Sequence, residues 1–275
     1  LLRWGVTTCE GKSGYALTVS GELRMLEVIQ AAQASHPVHV IPTLLGAHTL
    51  PPEYLEDRAG YLALVTQEMI PRAAAAGLAR FCDAYCEDGA FTTQEVEHIF
   101  TVAQEHGLGL RLHAEQFTDQ GGAALAARMG AASADHLEAV SAHGIAAMAA
   151  AGTTAVLLPG AALACRCPWP PARAILDGGV NLALGTDMNP GSSMTSSLPL
   201  MMSLACMQMG VTVEEAWRAV TINAARSLGL EGVGSLTPGA QADLVIWNAP
   251  DYRYIPYHYG DNHVRTVIKN GVVVL

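Results

Sequence analysis

The stretch "LGLRLHAEQFTDQGGAALAARMGAASADHL", Leu108 to Leu137, decides the fold. Its apolar run Leu108 to Ala114 stops at a polar, glycine-containing turn. An alanine-rich segment, Gly121 to Met129, then reads as a helix, and a second apolar run, Ala132 to Leu137, follows. A strand, a helix and a strand in that order form a β-α-β unit with parallel strands.

The same rhythm extends in both directions. Further strands are predicted at Thr8 to Gly14, Val38 to Ala47, Leu78 to Cys86, Thr153 to Pro159 and Val180 to Asp187. Helices are predicted at Ile145 to Ala151, Leu198 to Met209 and Val213 to Leu228. Another contains Val96, Ile99, Phe100 and Ala103 at helical spacing and opens with the capping box of Thr92 and Glu95. Seven parallel strands with no glycine-rich phosphate loop after the first favour a closed barrel over an open dinucleotide-binding sheet, which also argues against a dehydrogenase. The expectation is an α/β fold, a (β/α)8 TIM-type barrel lacking its first unit. The opening "LLRWGVTT" has no initiator Met and reads as the end of a helix entering a strand, so an N-terminal portion is expected to be missing. After Leu230, "GSLTPGAQADLVIWNAP" and "HVRTVIKNGVVVL" are strand and turn sequences with a hairpin signal at Asn270-Gly271. Residues 1–230 are therefore assigned to the barrel and 231–275 to a small C-terminal all-β annex, part of a β-sandwich.

Composition narrows the function classes. The 275 residues are 51% hydrophobic, enough for one large core. With 15 basic and 25 acidic residues the formal charge is −10, and no basic stripe offers a footprint for nucleic acid. No apolar run reaches the roughly 18 to 20 residues that cross a bilayer, so no membrane association is expected. The six cysteines read as reduced thiols of a cytoplasmic protein, and the Cys165-Arg166-Cys167 pair lacks the second pair of a zinc site.

In a barrel of this kind, chemistry gathers at the carboxyl ends of the strands. "LLGAHT" ends at His48, "GLRLHAEQ" brings His113 and Gln116, "ASADHL" brings Asp135 and His136, and "LALGTDMN" delivers Asp187. "EGKSGY" carries Lys12 and Tyr15 to the same rim. Each has an ordinary alternative: a strand-end histidine commonly packs and hydrogen-bonds, His136 could pair with Asp135, Asp187 could cap a helix, and Tyr15 could cover the mouth. The remaining histidines, His36, His39, His98, His106, His143, His258 and His263, read as surface or turn residues. Three histidines and an aspartate converging from different strands are nevertheless the donor set for a divalent metal and its activated water, with zinc, iron or manganese all compatible.

The segments "LHAEQFTDQGGAALAARMGAASADHL", "LLGAHTLPPEY", "EGKSGY" and "LGTDMNPGSS" resemble the imidazolonepropionase family of the amidohydrolase superfamily. "GSLTPGAQADLVIWN" with "VRTVIKNG" resembles the superfamily's C-terminal signature, so the likeness extends over essentially the whole chain. The resemblance implies metal-dependent hydrolysis of the cyclic amide of 4-imidazolone-5-propanoate to N-formimidoyl-L-glutamate in histidine breakdown. It implies one divalent ion, zinc or iron, held by His113 and Asp187. His136, Asp187 and Gln116 would act in catalysis: Asp187 and His136 as proton acceptors, His136 or Gln116 as donor to the carbonyl oxygen. Tyr15, His48, Gln116, Asn189, Gly191 and Ser192 would hold the small-molecule substrate. The family's His-x-His pair and the arginine after it, which supply two further ligands and a carboxylate contact, have no counterpart here, since His36 and His39 are wrongly spaced. With two ligands alone, metal binding would be weak. Related amidohydrolases acting on purines, pyrimidines or other cyclic amides, and a metal-free remnant of the fold, are the competing readings. Analogy with other barrel enzymes allows a homodimer.

Overall fold

A computed structural model describes residues 1–275. Seven parallel strands run in sequence order: β1 (Thr8–Lys12), β2 (His39–Ala47), β3 (Phe81–Cys86), β4 (Gly109–Ala114), β5 (Ser133–His136), β6 (Thr154–Leu157) and β7 (Leu182–Leu184). Each pairs only with its neighbours in the chain, so the curled sheet stays open between β7 and β1. A smaller antiparallel sheet of β8 (Leu244–Trp247), β9 (Val264–Lys269) and β10 (Val272–Val273) closes the chain. The truncated-barrel fold with a C-terminal β annex is as the sequence predicts.

Side-chain alternation explains how the sheet serves two environments. On β3, Cys82, Ala84 and Cys86 join the main core, as do Leu110, Leu112 and Ala114 on β4. That core lies between the sheet and the helices outside it. The helix Thr93–Glu105 turns Val96, Ile99, Phe100 and Ala103 into it, and its capping box is formed as expected. The intervening residues, among them Arg111 and His113 on β4, line the cavity inside the curled sheet.

Three local outcomes differ from the sequence reading. The run to Asp187 forms a strand only over Leu182–Leu184, and Asp187, three residues beyond the last paired residue, takes φ 47°, a left-handed conformation. The predicted helix from Val213 to Leu228 is two helices, Val213–Ala219 and Ile222–Ser227, because Thr221 at φ −124° and ψ −101° breaks the path. The annex also carries one helical turn, Tyr254–Tyr257, whose Ile255 is buried. Its hairpin forms where expected, with Asn270 and Gly271 at φ 51° and 78°, the positive pair of a type I′ turn.

Candidate active site

Tyr15, His48, His113, Gln116, His136, Asp187, Asn189, Gly191 and Ser192 all line one cavity of about 650 Å³ inside the curled sheet. The fold thus brings together nine residues drawn from five segments of the chain.

His113, the fifth residue of β4, is nearly buried, and its ring centroid lies 5.3 Å from that of His136 and 6.2 Å from that of His48. Its Nδ1 sits 3.0 Å from Asp83 Oδ2, off the line of a good hydrogen bond, while Asp83 Oδ1 accepts from the His113 backbone N–H at 3.2 Å. A carboxylate behind one ring nitrogen orients the other, which is how metal-binding imidazoles are commonly supported. Burial works against an imidazolium here, but Asp83 outweighs it and raises the His113 pKa.

His136 ends β5 at φ 79°, and Leu137 follows at φ 70°. Two consecutive non-glycine residues in the left-handed region cost about 1–2 kcal/mol each, a strain that packing around the site must sustain. Burial first, then neighbouring His113, lowers the His136 pKa to about 3, so the ring is neutral. The alternative pairing with Asp135 does not occur. Asp135 instead faces Lys12 Nζ at 3.3 Å and Arg111 Nη2 at 3.4 Å, and it accepts from Ser133 Oγ at 2.5 Å.

His48 donates from Nδ1 to the Gly14 carbonyl at 2.8 Å, which leaves Nε2 as an acceptor, and burial lowers its pKa. The loop bearing Gly14 and Tyr15 is fixed by buried Glu22, which accepts from the backbone N–H groups of Gly14, Ala16 and Leu17 at 2.7, 2.9 and 2.8 Å. Tyr85 donates its hydroxyl to Gln116 Oε1 at 2.9 Å, so the Gln116 amide nitrogen makes no hydrogen bond within the protein. Asp187 is held by Ser192 Oγ at 3.3 Å, and burial raises its pKa. Asn189 Oδ1 accepts from the N–H groups of Gly191 and Ser192, both at 2.8 Å. These two amides are thus engaged inside the turn.

Below the mouth lies a charge cluster absent from the sequence reading. Lys12 Nζ contacts Asp83 at 2.6 Å, Glu10 at 3.0 Å and Asp135 at 3.3 Å. Arg111 faces Glu10 at 2.9 Å and Asp135 at 3.4 Å, and donates to the Ser227 carbonyl at 2.6 Å. Burial disfavours the Lys12 ammonium, yet the three carboxylates hold its pKa above the ordinary value, and His113 and Lys12 hold Asp83 well below the carboxylate range despite burial. Asp83, His113 and Asp135 place ligand atoms within 4.8 Å of one another and have the composition to hold a divalent cation. An ion between the two carboxylates would compete with Lys12. The other ring nitrogen of His113, Nε2, makes no hydrogen bond within the protein, and Asp187 lines the same cavity.

An open (β/α) barrel with strand-end His and Asp residues around one interior cavity defines a class, and the chain belongs to it: the amidohydrolase family profile matches residues 3–275. Among curated relatives, the chain is 50% identical over 272 residues to imidazolonepropionase of Geobacillus thermodenitrificans and 48% identical over 275 residues to that of Shouchella clausii. Those alignments take in 98% and 100% of this chain but 64% and 62% of the relatives, so the chain spans under two thirds of their length. Solved structures share the fold: a zinc-bound adenosine deaminase from Xanthomonas campestris (TM-score 0.77, 20% identity, 100% of this chain and 67% of that one) and a zinc-complexed atrazine chlorohydrolase from Arthrobacter aurescens (TM-score 0.78, 16% identity, 100% and 69%).

Proposed function

We propose that the chain is the barrel and annex portion of an imidazolonepropionase, hydrolysing the ring amide of 4-imidazolone-5-propanoate to N-formimidoyl-L-glutamate. The observation that carries this reading is the convergence on one cavity of all nine residues whose motifs resemble that family. His113, with Asp83 behind its Nδ1, and the weakly bonded Asp187 fit a divalent cation. Bound zinc or iron would polarise the water and the ring carbonyl.

The remaining chemistry belongs to the side chains. Asp187 takes the proton of the attacking water and returns it to the departing ring nitrogen. Neutral His136 and the Gln116 amide donate to the carbonyl oxygen as negative charge grows there, where preorganised donors count most. His48 Nε2 and the Tyr15 hydroxyl hold the ring edge. Asn189, Gly191 and Ser192 shape the end of the cavity that takes the propionate. The same reading puts the protein in the cytoplasm, where six unpaired cysteines are at home, and analogy with other barrel enzymes allows a homodimer. No helix is long and apolar enough to cross a membrane.

The test is turnover by the zinc- or iron-loaded full-length homologue, which carries the additional ligands, against a panel containing imidazolone propionate, the same ring without its carboxylate tail, and adenosine. The expected result is hydrolysis of the first alone, lost in Asp187→Ala. Near-normal hydrolysis and metal content in Asp187→Ala, or preference for adenosine, would reject the assignment.

A further inference from the structure

Glu138 lies two residues beyond His136 and is buried, yet neither of its carboxyl oxygens has a hydrogen-bond partner. His136 Nδ1 is likewise buried and unpartnered. Buried polar atoms without partners are uncommon and call for an explanation. Here the two orphans face each other, with Glu138 Oε2 3.9 Å from His136 Nδ1, about 1 Å beyond hydrogen-bond length. The left-handed pair His136 and Leu137 lies at this strand end, and the side chains of His136 and Glu138 are both buried there.

We propose that Glu138 is a positioning residue: its carboxyl donates a hydrogen bond to His136 Nδ1, which puts the ring proton on Nε2 and aims that N–H into the cavity. The inference rests on the reading of His136 as a donor to the reacting carbonyl oxygen. A donor at Nδ1 requires a neutral carboxyl, and the surroundings favour one. Burial foremost raises the Glu138 pKa to about 8, aided by Asp187 and Glu87 and outweighing the pull of its own backbone N–H in the other direction. The other titratable groups around it, Tyr85 and Cys167, are themselves pushed up by burial and bring no positive charge. No cationic side chain of the protein is among the groups that act on this carboxyl. No proton leaves the pair in this role; the O–H of Glu138 and the Nε2–H of His136 stay in place, and tautomer and orientation are what the contact sets.

The experiment reads ring nitrogen shifts by NMR in the 275-residue chain labelled with 15N-histidine, with His136 assigned by its loss in His136→Asn. The wild type is expected to show His136 as a single Nε2–H tautomer. Glu138→Gln, whose amide also donates, should retain it. Glu138→Leu should move the Nδ1 resonance and mix the tautomers. A wild-type ring protonated at Nδ1, or a Glu138→Leu ring unchanged from wild type, would overturn the proposal, and the wild-type spectrum decides even where the leucine variant does not fold. These shifts are read without substrate, so they stand or fall separately from the hydrolytic assignment. Where turnover is measured, Glu138→Leu should lower kcat about tenfold or more with KM within about twofold, and Glu138→Gln should recover it.

Discussion

Lys12→Met tests whether the charge cluster under the cavity holds the fold together. Lys12 is the only residue that touches all three interior carboxylates, at 2.6, 3.0 and 3.3 Å. Glu10, Asp83 and Asp135 carry three negative charges against two positive ones on Lys12 and Arg111, and the variant leaves three against one. At an effective dielectric of about 20, each contact near 3 Å is worth roughly 5 kcal/mol before desolvation. Desolvation cancels much of that, but removing one partner leaves the others buried and unpaired, at a net cost of about 3–5 kcal/mol. For a chain of this size that lowers Tm by roughly 6–20 °C. Urea unfolding at pH 7 measures the loss, and acid gives the sign. Asp83 is held below its ordinary pKa in the folded chain, so its contribution is present above the unfolded value of 3.8 and fades as pH falls. The variant, which has already lost the ion pair, should therefore lose less on acidification than wild type. Adding Asp83→Asn should recover at least about 1 kcal/mol through coupling. A single variant within 1 kcal/mol of wild type, or strictly additive effects in the pair, would refute the reasoning.

Zinc at about a hundredfold its Kd should stabilise the chain by about 2.7 kcal/mol in thermal scans, and His113→Ala should abolish the shift; an equal shift in that variant would move the ion elsewhere. Tyr61→Phe removes the 2.7 Å hydrogen bond from a fully buried hydroxyl to the Gly46 carbonyl, and denaturant titration should show a loss of about 1–3 kcal/mol. Glu95→Gln should cost about 1–2 kcal/mol at neutral pH, since Glu95 accepts from Arg58 at 2.5 and 2.7 Å and completes the helix cap with Thr92. The hydrogen bond from Arg58 chiefly depresses the Glu95 pKa to about 2, so the difference between variant and wild type should persist above about pH 4.5 and vanish as pH falls toward 2.

The strands were legible because parallel strands buried on both faces are short apolar runs, and because polar residues stop those runs where the active face begins. His48, His113, His136 and Asp187 could be picked out for that reason. The charge cluster was not legible, because its members lie inside strands and meet across long sequence separations. Asp83 within "FCDAYC" was the available signal: an acid in a buried run must have a partner, but nothing local says that Lys12 is that partner. Glu138 follows "ADHL" directly, but its significance lies in burial, which the acid's sequence position does not reveal. The engagement of the Gly191 and Ser192 amides by Asn189 depends on turn geometry that composition leaves open.

The cluster of Glu10, Lys12, Asp83, Arg111 and Asp135 also limits how such a chain can drift over time. A charge lost from one member strands the rest, so neutral wandering at any single one of these positions is closed. Exchange is open only through paired replacements, such as an acid and its base giving way together to apolar residues of similar bulk. Among descendants of a common ancestor, these five sites should therefore be either frozen or inherited as matched sets, while the helices outside vary residue by residue.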